Sequence, residues 1–180
     1  MVKPIRRVVA GEDSSGKAVA HSFAASPDVR LDPARPGFAS TRLWVQDTTP
    51  GRVKGIKETL HLPHTIEPPA NGSVCRVVEF PPEAGYIKKI RAEDVQTYFV
   101  SMGSPGISTG GKSAPHPYMQ KTRSLDFCYI LEGEITLVLD AQEVHLKEGD
   151  TVVQRGTNHA WSNGSDKPCL VIFSSHDGIF

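Results

Sequence analysis

Residues 154–163, QRGTNHAWSN, place an imidazole, an indole and a carboxamide at alternate positions, His159, Trp161 and Asn163. If the segment is a strand, all three side chains project to one face. A second run, DFCYIL, gives Asp126, Cys128 and Ile130 a common face by the same parity. A carboxyl group enclosed among apolar side chains has its pKa raised by desolvation, which makes Asp126 a candidate general acid or base beside His159. The alternative for Asp126 is a hydrogen-bonded structural carboxylate. Cys128 near an imidazole would be a nucleophile if its pKa were lowered, and otherwise a small packed hydrophobe. The flat ring of Trp161 offers apolar area for stacking an aromatic substrate, or for packing a core. Imidazole and carboxylate are also nitrogen and oxygen donors for a divalent metal, so His159 raises the question of its partners.

These residues need strands to hold them, and the chain supplies strands in number. From Tyr118 onward, LDFCYILEGEITLVLD reads as two strands in an LEGE hairpin, followed by AQEVHLKEGD, TVVQRGTNHAWSN and PCLVIFSS. Earlier, RRVVAG and KAVAHSF flank the turn EDSSG, while FASTRLWVQDTTPG and SVCRVVEFPPEAG alternate and end at Pro-Gly and Pro-Pro. The stretches 30–36 and 60–72 are proline-rich and read as extended loops. RAEDVQTYFVSMG has helical spacing, acidic residues in its first turn and Gly103 at its end, which predicts one short helix. The Gly- and Ser-rich residues 104–114 that follow read as a mobile loop and a candidate lid. Many short strands, one helix and long loops predict an all-β barrel or sandwich, a single domain over residues 1–180.

Lysine plus arginine and aspartate plus glutamate balance at 20 each, which argues against nucleic acid or a membrane surface as partner. No apolar run approaches the ~20 residues of a spanning helix. The opening MVKPIRRVVAG lacks the apolar core and cleavage site of a signal peptide. Three cysteines without CxxC spacing fit a reduced, cytoplasmic setting.

With these pieces in view the chain resembles the cupin superfamily. The acid-to-glycine half of the first cupin motif is matched by Asp126 and Gly133, and the second motif by Gly149, Gly156, His159 and Asn163, with Gln154 where proline is usual. Over HPYMQKTRSLDFCYILEGEITLVLD and GDTVVQRGTNHAWSN it is similar to small single-domain cupins described as cupin-domain oxidoreductases in fungal salicylaldehyde-type polyketide clusters, and to their bacterial relatives. The likeness is firmest over residues 115–176.

The resemblance implies a double-stranded β-helix, or jelly-roll barrel, with a site inside it. His159 and Asp126 take two of the four metal-ligand places, and counting back from Asp126 puts Gln120 and Thr122 in the other two, where histidines are expected. His116 would share a face with Gln120 and Thr122 if residues 115–122 are extended, and otherwise is a loop histidine at the barrel rim. The other histidines, His21, His61, His64, His145 and His176, have no motif support. A site of His159, Asp126 and Gln120, with His116 if it is extended, would hold iron, manganese, nickel or zinc weakly or not at all. The expected function is therefore enzymatic work on a small aromatic or polyketide-type molecule, by weak-metal redox chemistry or by metal-free acid–base chemistry such as dehydration, isomerisation or decarboxylation. Thr122, Cys128, Trp161, Asn163 and Gln120 would line the substrate. A non-catalytic small-molecule binding or sensing barrel is the competing expectation. Open sheet edges at the N-terminal strands predict a homodimer.

Overall fold

A computed structural model describes residues 2–55 and 57–180. The strands run β1 (Arg6–Glu12), β2 (Ala18–Ala25), β3 (Val29–Leu31), β4 (Ala39–Gln46) and β5 (Ser73–Phe80). Two single 3-10 turns lead into the helix α1 (Ala92–Ser101). Then come β6 (Ser124–Glu132), β7 (Glu134–Leu139), β8 (Glu143–Lys147), β9 (Thr151–Arg155), β10 (His159–Ser162) and β11 (Cys169–Asp177). A six-stranded sheet, β3-β4-β5-β11-β6-β9, faces a three-stranded sheet, β10-β7-β8, and the hairpin β1-β2 stands apart as a sheet of its own. The paired strands are antiparallel throughout. This is the all-β fold with a short helix that the sequence pattern predicts, in the jelly-roll form that the resemblance implies.

The core between the two sheets is built by alternation. On β6, Asp126, Cys128 and Ile130 are buried while Phe127 and Tyr129 point outward. They meet Phe80 and Val78 from β5, Val171 and Phe173 from β11, and Ile135, Leu137 and Trp161 from the facing sheet. A second cluster under α1 joins Val95 and Phe99 to Ile107 and Tyr118.

The LEGE segment departs from the expected hairpin. β6 pairs with β11 and β9, whereas β7 pairs with β10 and β8. The chain therefore crosses from one sheet to the other at Gly133, whose φ is +80° and whose missing Cβ would lie 2.8 Å from the Pro168 carbonyl oxygen. Only glycine fits that corner. Residues 104–114 also differ from a free lid. The Ser104 hydroxyl accepts from the Ile66 amide at 3.0 Å, Ile107 is buried, and the Thr109 amide donates to the Met119 carbonyl at 2.9 Å.

The proline-rich loop 60–72 is fixed by two buried arginines that are register partners on β4 and β5. Arg42 donates to the carbonyls of Leu60, Leu62 and Pro63 and ion-pairs with Asp28, and Arg76 donates to the carbonyls of Thr65 and Ile66. A loop with little ladder pairing leaves carbonyls that need donors, and the guanidinium groups supply them. Ile66 is thereby pressed against the barrel as one wall of its cavity.

Candidate functional site

The barrel encloses a cavity of about 70 Å³, room for several waters. β6 contributes Ser124 and Asp126, β10 contributes His159 and Trp161, the segment before β6 contributes Gln120 and Thr122, and Tyr98 of α1 and Met102 just past its end complete this side of the lining.

His159 is 2% exposed and its orientation is set at both ring nitrogens. Nδ1 lies 2.9 Å from the Thr157 carbonyl oxygen, an acceptor only, so Nδ1 carries the proton. Nε2 is then left to accept, and the Gln120 amide nitrogen stands 3.3 Å from it. The two residues are also locked by backbone pairing, Gln120 N–H to His159 O at 2.8 Å and His159 N–H to Gln120 O at 2.9 Å. Burial holds the His159 pKa below the ordinary imidazole value, against the upward pull of the Thr157 carbonyl and Asp126. Asp126 is 6% exposed and its Oδ1 is buried without a hydrogen-bond partner. Burial raises its pKa, opposed by the hydroxyls of Ser124 and Ser175 and by the His159 and Arg76 side chains. Desolvation thus moves a carboxyl up and an imidazole down, toward each other, which brings the two groups closer to equal proton affinity.

Of the residues singled out in the sequence, Asp126, His159, Gln120, Thr122 and Trp161 line this cavity. Three others do not. His116 turns away to the Glu83 carboxylate, 3.3 Å from Nε2, because residues 115–119 form a turn closed by Met119 N–H to His116 O instead of an extended run. Cys128 packs in the intersheet core, where burial pushes its thiol far up, away from a reactive thiolate. Asn163 lies just past the end of β10 and builds the following turn, donating to the carbonyls of Phe80 and Lys167 and accepting from Ser165.

Two charged lining residues carry no mark in the sequence reading, Arg35 and Arg76. Burial lowers Arg76 to about 10, opposed by Tyr98 and Asp126, so it stays a cation at neutral pH. One signal was present. Arg76 shares strand parity with Val74, Val78 and Phe80 on a β-branched run, an inward position for a charged group.

A divalent metal here would have to use His159 Nε2, Asp126 and the Gln120 side chain. Among the described residues no three His, Cys, Asp or Glu side chains converge. The amide group of Gln120 presents nitrogen toward Nε2, and an amide nitrogen offers no usable lone pair. This donor set does not fit a tight first-row metal site. Wild-type protein dialysed against chelator is expected to hold well under one metal per chain by plasma mass spectrometry. Gln120→His should raise that occupancy, since backbone pairing would hold the new imidazole opposite His159. A full equivalent of iron, nickel or zinc in the wild type would overturn this.

Comparison with known proteins agrees with this architecture. The cupin domain model matches residues 106–175. Phomopsin biosynthesis cluster protein C' of Diaporthe leptostromiformis is 33% identical over 142 residues, 72% of this chain and 66% of the relative. Phomopsin biosynthesis cluster protein D of the same fungus is 50% identical over 60 residues, 33% of this chain and 30% of its own length. The cupin-domain-containing oxidoreductase virC of Hypocrea virens is 32% identical over 101 residues, 54% of this chain and 36% of the relative. The chain thus spans between 30% and 66% of these relatives' lengths. No helix among the described residues is long and apolar enough to cross a membrane. A jelly-roll barrel with Asp126 and His159 facing its interior, matched by the family model across the strands that carry both residues, shows that residues 106–175 of this chain form a cupin domain.

Proposed function

We propose that the barrel cavity is the active site of a small-molecule enzyme of secondary metabolism, and that Asp126 and His159 move protons in an isomerisation or dehydration. The observation that carries this is a buried carboxyl with a partnerless Oδ1 in the same cavity as an imidazole whose Nε2 is its acceptor nitrogen. Nε2 takes a proton from the substrate, while the Asp126 carboxyl delivers one to the atom where charge develops or a hydroxide departs. The pair then carries imidazolium and carboxylate, which attract each other, until solvent restores both. Thr157 keeps the imidazole in the required tautomer, and the amide of Gln120 must swing off Nε2 to admit the substrate. The similarity to biosynthesis cluster proteins supports a secondary metabolite as substrate.

The test is solvent exchange. A panel of enolisable aromatic and polyketide-type carbonyl compounds is incubated with the protein in deuterium oxide and followed by NMR. The protein should incorporate deuterium into at least one compound, and Asp126→Asn and His159→Gln should not. Exchange retained in both variants would remove Asp126 and His159 from the mechanism, and exchange absent from the whole panel with wild type would favour a binding barrel instead.

The hairpin β1-β2 pairs with no other strand among the described residues and leaves Val8 57% and Phe23 64% exposed. We propose that it pairs with a second copy of the chain in a two-fold dimer. Light scattering at micromolar concentration should give twice the chain mass, and a monomer mass would refute this.

A further inference from the structure

Among the described residues five buried side-chain polar atoms have no hydrogen-bond partner: Arg35 Nη2, Ser40 Oγ, His64 Nε2, Asp126 Oδ1 and Trp161 Nε1. Four of the five belong to residues that line the barrel cavity, His64 being the exception. Each such group costs roughly 1–3 kcal/mol when left unpaired, and native proteins contain few of them. Their concentration at one cavity points to a ligand that supplies the missing partners.

The unpaired groups also state what that ligand must offer. Guanidinium and indole nitrogens only donate, and a hydroxyl can donate. Arg76 adds a second cation to the lining, and its Nη2 is spent on the neutral carbonyls of Thr65 and Ile66, not on a carboxylate. Apart from the Asp126 carboxyl, the unpaired groups of the cavity are donors or can donate, and two of the lining side chains are cations.

Arg35 is the best placed of these groups. Its guanidinium lies over the rings of Phe38 at 3.8 Å, Tyr118 at 3.8 Å and Tyr98 at 4.3 Å, and its Nε donates to Asp32 at 2.6 Å. Three aromatic faces and one ion pair fix the plane of the fork before any ligand arrives, so little rotamer freedom is lost on binding. We propose that the ligand is a small ring-bearing organic acid whose carboxylate is held by the Arg35 guanidinium. The remaining wall is aromatic, from Phe38, Phe80, Trp161 and Phe173. Tyr118, which packs on Arg35, and Gln120, which meets His159, are two residues apart in the chain, at most about 7 Å along the backbone. A substituted benzoate held at Arg35 shares one cavity with Asp126 and His159 and turns its far side toward them. This orientation rests on the acid–base reading above, whereas the carboxylate site itself does not.

The experiment is calorimetric titration of the full chain with benzoate and with benzamide, which share ring and size but differ in charge. Benzoate should bind about 10- to 100-fold more tightly, the range of a hydrogen bond to a charged group. Arg35→Lys keeps the cation but lacks the fork, and should lose most of that preference. Benzoate that fails to bind at millimolar concentration, or that binds no better than benzamide, overturns the proposal. So does a folded Arg35→Lys that keeps the full preference. If Arg35→Lys does not fold, the wild-type contrast between the two probes decides alone. Wild-type protein that prefers benzoate yet exchanges no deuterium refutes only the acid–base reading, and wild-type exchange without a preference for benzoate refutes only the carboxylate site.

Discussion

Arg42→Leu should destabilise the protein by about 3–5 kcal/mol, the cost of breaking a buried ion pair from one side. The Arg42 side chain is 2% exposed and fills four roles at once, bonding Asp28 at 2.5 Å and three loop carbonyls at 2.7–2.8 Å. Leucine fills much of the space and supplies none of these donors. Asp28 is left with the half-exposed Arg30 at 3.9 Å and with His64 at 3.2 Å, and that imidazole is a poor replacement, because burial and the nearby Arg76 drive its pKa down to about 4. At neutral pH it is uncharged. The loop 60–72 should then open and become the first site of proteolytic cleavage, and Ile66 should leave the cavity wall. Denaturant unfolding at pH 7 measures the loss. A change below about 1 kcal/mol would show that the loop is held by other contacts.

Asp126→Asn should reduce turnover by about 10²- to 10⁴-fold, the usual contribution of a positioned acid or base, and should raise stability at pH 7. The sign follows from the direction of the shift. The folded-state pKa of Asp126 lies above its unfolded value through burial. Its favourable contribution is therefore complete below the ordinary aspartate pKa and is lost as pH rises through the folded value. At neutral pH, where the unfolded chain ionises this carboxyl freely, keeping it buried costs stability that asparagine does not. The difference in denaturation midpoint between variant and wild type should be largest near pH 7 and shrink as the pH is lowered. His159→Gln should reduce turnover similarly. Its folded pKa is depressed, so its contribution is present above the ordinary imidazole value and is lost as pH falls through the lowered one. Full activity in either variant would remove that residue from the mechanism.

Much of this site could be read from strand parity. The alternation of DFCYIL turned Asp126 inward, and the two-residue spacing in NHAWS brought His159 and Trp161 to one cavity. Parity failed where the strand ended. β10 stops at Ser162, so Asn163 follows turn geometry, and the prolines flanking His116 bend that residue toward Glu83. Gly133 was legible as a tight corner, but a corner joining two sheets and a hairpin within one sheet use the same residue type. The arginines were the least legible. Arg35 is buried by Tyr98 on the helix and Tyr118 on a later turn, partners more than sixty positions away, and no local pattern announces such a contact. The interleaved order of β5, β11 and β6 in the large sheet likewise depends on pairing between distant segments, which periodicity along one segment does not encode.

Residue 120 is gripped on two sides by the backbone, bridged to Ser108 and to His159. Neither bridge depends on the side chain that residue carries. Glutamine and histidine codons differ only in their third base, so one nucleotide substitution separates the present amide from an imidazole. The barrel therefore offers natural selection a fixed socket in which chemistry can change without refolding, and lineages on either side of that substitution can be reached from one another in a single step.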